Sequence, residues 1–87
     1  MEVLDAENFA EYVEKTPGIV ADFGGQYLVN DGESEQIEGK GPDRHVVIRF
    51  KDMPAGHRFY NSTAFQAVLP LAKAYTRRDL VFVEGFE

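Results

Sequence analysis

Arg44-His45-Val46-Val47-Ile48-Arg49-Phe50 is the clearest strand in the chain. It is β-branched, apolar at its centre, and ended by Lys51-Asp52 and Pro54. Val46, Ile48 and Phe50 fall on one face. Val47 falls on the other, between His45 and Arg49. A strand with apolar residues on both faces expects cover on both. In a chain of 87 residues one cover can come from its own helices, and the other calls for a second copy.

Moving outward toward the N-terminus, Pro42-Asp43 leads into this strand. The acidic, glycine-containing stretch Glu33–Gly41 precedes it, with Gln36-Ile37-Glu38 as a short candidate pairing segment. Gln26–Asn30 reads as a strand, followed by a turn or bulge at Asn30-Asp31-Gly32. Phe9, Tyr12, Val13, Ile19, Val20 and Phe23 recur at near-helical spacing, which predicts an amphipathic helix over 6–23 with Asp5 as N-cap. Pro17-Gly18 predicts a kink or break in it, and Gly24-Gly25 its end. Val3-Leu4 is the tail of a strand.

Toward the C-terminus, Asp52 caps a short helix through Tyr60. Asn61-Ser62 caps another from Thr63, with Phe65, Val68, Leu69, Ala72 and Tyr75 on one face, a kink at Pro70, and an end at Arg77-Arg78-Asp79. Leu80–Glu84 reads as the last strand. The order (β)αββαβ is the ferredoxin-like split-βαβ pattern, an α+β fold. Right-handed crossovers would make it one four-stranded antiparallel sheet with helices on one face. The bare face would be too apolar for water, so a homodimer packed sheet to sheet is expected.

Composition narrows the function classes. One domain spans 1–87, and a chain this long buries roughly 60–65% of its unfolded surface. Hydrophobic residues make up 44%, enough for a packed core. There is no cysteine, which rules out disulfides and thiolate chemistry and fits a reducing cytoplasm. A net charge of −6 disfavours nucleic acid, which needs a basic surface. No apolar run approaches the length of a membrane span.

The chemistry-bearing residues are few. His45 and His57 are the only imidazoles. Neither has a second histidine at i+4 or a carboxylate cluster at ligand spacing, so no metal is expected. Both are as readily ordinary surface histidines. Tyr60-Asn61-Ser62 places a phenol, an amide and a hydroxyl at a helix N-terminus, which can receive an anionic or carbonyl ligand. The plainer reading, favoured here, is that Ser62 or Asn61 caps the helix while Tyr60 packs. Arg44, Tyr27, Arg77 and Arg78 could hold a carboxylate, or else be exposed charge or ion pairs with the acidic 31–43 loop. For Arg77 and Arg78 the second reading is preferred. No nucleophile elbow, catalytic triad or phosphate-binding glycine loop is present.

The order and spacing of Asp5, Phe9 and Glu11-Tyr12, Gly24-Gly25, Glu38-Gly39, Arg44 through Phe50, Tyr60-Asn61-Ser62, Phe65-Gln66 and Val83-Glu84-Gly85 resemble the domain-of-unknown-function 1330 family. That family lies in the dimeric α/β-barrel, ferredoxin-like superfamily, and the resemblance covers nearly the whole chain. It implies a homodimer. It leaves open several activities, among them cofactor-independent monooxygenases, haem-degrading enzymes, lactone isomerases and plain ligand binders, because a shared fold does not choose a chemistry. The chain departs from the family in three places. Asn30 stands where an arginine is frequent, and Arg49 where an acid is frequent. The family's first strand runs about seven residues, against Met1–Leu4 here, so an extension upstream of Met1 is expected; a stop codon just before Met1 would refute it.

The sequence therefore leads to a small homodimeric protein with no cofactor. Its cleft between helices and sheet takes a small organic molecule, acidic ones included, through Tyr27, Arg44, His57, Tyr60, Asn61 and Ser62. The alternatives are a cofactor-independent monooxygenase or isomerase with His57 or Tyr60 as acid/base, and a dimeric interaction module without chemistry.

Overall fold

The computed structural model describes residues 1–86. Among them are three helices and four short strands, in the order β1 (Glu2–Val3), α1 (Ala6–Asp22), β2 (Gln26–Asn30), β3 (Val46–Arg49), α2 (Met53–Tyr60), α3 (Thr63–Tyr75) and β4 (Thr76–Arg77). The fold is α+β and compatible with a ferredoxin-like arrangement.

Local chemistry sets the helix ends. The Asp5 carboxylate accepts from the Asn8 backbone N–H at 3.2 Å and from its side-chain amide at 2.8 Å, bonds that hold its pKa below the usual carboxylate value, the side-chain one foremost. Asp52 accepts from Ala55 N at 2.9 Å, and Ser62 from Phe65 N at 3.1 Å, each satisfying an orphan donor of the first turn. At the end of α1, Gly24 N donates to Ala21 O at 3.0 Å and Gly25 N to Val20 O at 2.9 Å. Gly24 takes φ +76° there, the left-handed turn that only a residue lacking Cβ adopts cheaply.

Helix α1 runs unbroken through Pro17, so the kink or break expected there is not a break, and α3 continues through Pro70, where a kink is expected from the sequence. Both prolines are exposed, so the carbonyls they strand, on Val13 and Gln66, face the solvent side of each helix. On the buried side of α1, Thr16 Oγ1 donates to Tyr12 O at 2.6 Å. The packing of Phe9, Tyr12, Thr16 and Val20 on that side outweighs one lost hydrogen bond.

The sheet differs more. Strands β1 and β4 pair antiparallel, as do β2 and β3, giving two two-stranded sheets in place of one four-stranded sheet. In the second, Tyr27 faces Ile48 and Val29 faces Val47, so Leu28 is the extra residue of a bulge. Leu80–Glu84 forms no strand; the final strand is Thr76–Arg77, directly after α3. Thr76 Oγ1 donates to Ala72 O at 2.6 Å and is buried, so α3 stops at Tyr75, two residues before the arginines expected to end it. Gln36-Ile37-Glu38 pairs with nothing regular and is exposed. A two-residue β1 offers too short an edge to extend the β4 ladder into Leu80–Glu84.

The core lies between α1, α3 and the inner sheet faces. Phe9, Val20, Phe65 and Ala72 are at most 1% exposed, and each buried phenylalanine contributes roughly 1.5–3 kcal/mol. Aromatic rings knit it together. Phe59 lies 4.5 Å from Phe65 and 5.2 Å from Phe50, and Phe9 stacks on Tyr12 at 4.9 Å.

Candidate functional site

The two small sheets leave a cleft of about 390 Å3 between them. One wall is β3 with its flanks, Arg44 through Ile48 and Phe50. The other is the consecutive segment Arg78–Phe82. Phe9, Tyr12, Thr16, Phe59 and Phe65, carried by the helices, form the floor. Helical spacing of three and four puts Phe9, Tyr12 and Thr16 on one stripe of α1, and the same stripe both fills the core and faces the cleft.

The ends of the cleft differ in character. Arg44 and Arg78 stand at one end. The Arg44 guanidinium lies 5.9 Å from the Phe9 ring centre, and that of Arg78 lies 5.4 Å from the Tyr12 ring centre. Arg78 Nη1 also donates to the Tyr12 hydroxyl at 2.9 Å. Asp31 approaches Arg44 only to 3.7 Å, a loose pair, and Arg44 Nε is buried with no hydrogen-bond partner among the described residues. Asp79 is the carboxylate in the lining. At the other end Phe50 and Phe82 meet at Gly56, where an added Cβ would lie 3.6 Å from Phe82 and 3.7 Å from Phe50, and Phe59 packs on Phe50. A cleft that is cationic at one end and aromatic at the other suits an elongated guest with one anionic end.

Tyr27 reaches the cleft from β2 and is half-buried. Desolvation, with a smaller contribution from Tyr12, raises its pKa above the usual 10.0. Its phenol thus stays a neutral donor through the physiological range. Tyr60 lines the cleft from the end of α2, edge-on to Phe82 at 6.3 Å.

Tyr27, Arg44 and Tyr60 therefore meet in one place. His57, Asn61 and Ser62 do not line it. His57 is exposed and sits edge-on to Phe82, with ring centres 4.7 Å apart. Ser62 is engaged at the helix junction, where it caps α3 and donates to Phe59 O at 2.7 Å. Asn61 ends α2, its backbone N–H bonded to His57 O at 2.9 Å. Tyr12 joins the site without having been singled out for it, and Arg78, a carboxylate candidate for which exposed charge or an ion pair was the preferred reading, lines it as well. Tyr12 reads as core from its spacing. Arg78 is cleft-facing only because β4 begins at Thr76, which no local signal announces. Arg77 points outward and pairs with Glu2 at 3.2 Å. Among the described residues no group of three histidine, aspartate or glutamate side chains gathers to hold a metal, and no helix is long and apolar enough to cross a membrane.

No curated protein matches the chain. The family described as Domain of unknown function (DUF1330) matches residues 1–86, and the chain belongs to that family.

Proposed function

We propose that this protein is a homodimeric binding protein whose cleft takes a small organic acid. The carboxylate is held between Arg44 and Arg78, and the apolar body lies on Phe50, Phe59, Phe65 and Phe82. The observation that carries this reading is the polarity of the cleft: both inward arginines at one end, aromatic rings at the other. The surface as a whole is acidic, so a local cationic pair is what an anion needs. Leu28, Val29, Val46 and Val47 of β2 and β3 are exposed by 37–56%, which supports a second copy covering part of that sheet. His57 lies outside the cleft lining, whereas His45 lies within it. A cofactor-independent monooxygenase or isomerase would have to use His45, Tyr60 or Tyr27 as its acid or base.

Native mass spectrometry of protein from its own host tests both parts, with titration calorimetry against an aromatic monocarboxylate. Twice the chain mass and a retained acid are expected. An acid of about ten heavy atoms should bind with a Kd between about 10 μM and 1 mM. A monomer that carries nothing and gives no heat with the acid overturns the reading.

A further inference from the structure

The arginine end of the cleft holds more hydrogen-bond donors than the protein itself uses. Arg78 Nη1 donates to the Tyr12 hydroxyl at 2.9 Å, so that oxygen serves as an acceptor. The Tyr12 O–H proton is then free to donate, and no described residue accepts it. Tyr12 is 9% exposed, and its ring is fixed by Phe9 at 4.9 Å and Phe65 at 6.1 Å. The hydroxyl is therefore held at the floor of the cleft. Accepting from a guanidinium also polarises its O–H bond and strengthens it as a donor. Arg44 Nε is a second buried donor without a partner among the described residues. The Tyr27 phenol is a third, half-buried and kept protonated by its desolvation. Tyr12 adds to that effect, which puts the two phenols near one another.

Acceptors are scarce at the same place. Asp31 reaches Arg44 only to 3.7 Å, and among the described residues no carboxylate comes within ion-pair distance of Arg78. Asp79 is exposed and also borders the neighbouring depression beside Lys40 and Arg77, so it stands at the mouth. A guest seated here must bring acceptors and few protons. One carboxylate occupies the two guanidiniums and leaves the Tyr12 proton over. Burying a donor unpaired is costly, so a second acceptor beside the carboxylate is favoured.

We infer that the cleft selects 2-oxo acids over plain carboxylic acids and 2-amino acids, with the Tyr12 hydroxyl donating to the 2-oxo oxygen while Arg44 and Arg78 hold the carboxylate. The inference rests on the acid-binding reading above and narrows it. Guanidinium and phenol, 2.9 Å apart, match two acceptors on adjacent carbons of one guest. A 2-amino group would set an ammonium among two guanidiniums and a phenol proton. A 2-hydroxyl can accept, but it brings a proton that needs an acceptor of its own.

Titration calorimetry with three acids of one skeleton is the test: phenylglyoxylate, phenylacetate and phenylglycine. Phenylglyoxylate should bind about tenfold or more tighter than phenylacetate, and phenylglycine should be the weakest. In Tyr12→Phe the ratio of the phenylacetate and phenylglyoxylate Kd values should fall to within about twofold of one, with circular dichroism to establish that the variant is folded. Equal affinities for the two acids in the parent, a phenylglycine that binds best, or an oxo preference that survives in folded Tyr12→Phe overturns the inference. Tyr27→Phe is the second variant, and loss of the preference there would hand the contact to Tyr27 and also overturn it. Phenylacetate and phenylglyoxylate binding alike would leave the acid-binding function standing and remove only this selectivity. If none of the three acids binds, both fall together.

Discussion

Replacing Arg44 with methionine separates a binding role from a structural one. The Arg44 side chain is 21% exposed and keeps an unpartnered Nε. Burying an unpaired donor costs about 1–3 kcal/mol, and Arg44→Met recovers that. Methionine retains most of the apolar stem. Two contacts are lost. The guanidinium over Phe9 at 5.9 Å contributes about 0.5–1 kcal/mol. The 3.7 Å pair with half-exposed Asp31 contributes about 0–1 kcal/mol. The net runs from a loss of about 1 to a gain of about 2.5 kcal/mol, so at mid-range the variant should be more stable than the parent by about 1 kcal/mol. For a domain of this size that is a Tm rise of roughly 4–8 °C. Binding should move the other way. Removing a charge-assisted contact to a carboxylate costs about 1.5–3 kcal/mol, which weakens an aromatic monocarboxylate about 10- to 150-fold. Thermal unfolding by circular dichroism and titration calorimetry on the same two samples decide the matter. A Tm fall beyond about 10 °C would make the guanidinium structural, and an unchanged Kd would remove it from the site; either result refutes the reasoning.

Three further substitutions test the frame around the cleft. Gly25→Ala places a Cβ 2.6 Å from Val20 Cγ1 and 2.8 Å from Phe50 Cε1 and should cost about 1–3 kcal/mol in urea unfolding. Gly24→Ala, at φ +76° in open space, should cost about 1 kcal/mol through backbone strain alone; a larger loss at Gly24 would show that the Phe50 ring yields freely. Ser62→Ala should lower stability by about 1 kcal/mol by uncapping α3, with Ser62→Asp restoring most of it; equal loss in both would deny the cap. Tyr27 keeps its proton in the folded chain at pH values where the unfolded chain has released it, because its folded pKa is raised above 10.0. Its contribution is whole below pH 10 and is lost as pH rises through the folded value. Tyr27→Phe should flatten that alkaline decline in urea midpoints measured from pH 8 to 11, and an unaltered slope would assign the decline to other groups.

Features governed by nearest neighbours were legible in advance. Asp52 and Ser62 cap the helices they precede, Gly24-Gly25 ends α1, and Gln26–Asn30 is a strand over its expected length. Each depends on a hydrogen bond or a dihedral within a few residues. Neither Pro17 nor Pro70 interrupts its helix: each lies on the solvent side of a helix whose other face is locked into the core. The site was half legible. Tyr27, Arg44 and Tyr60 converge, whereas His57, Asn61 and Ser62 belong to the outside of α2 and to the capping between α2 and α3.

What the amino-acid sequence determined by itself is the element order, the helix N-caps, the end of α1 at Gly24-Gly25, the apolar stripes and the acidic, cysteine-free composition. All of these follow from spacing and from short-range hydrogen bonding. Only the tertiary structure decided that Thr76, rather than Leu80, begins the last strand. Only it turned Arg78 inward over Tyr12 and left a cleft between the two small sheets. Strand pairing and cleft polarity join residues more than sixty positions apart, as Arg78 with Tyr12 and Glu2 with Arg77 do. Such contacts are selected by the packing of the whole core, and no local pattern encodes them.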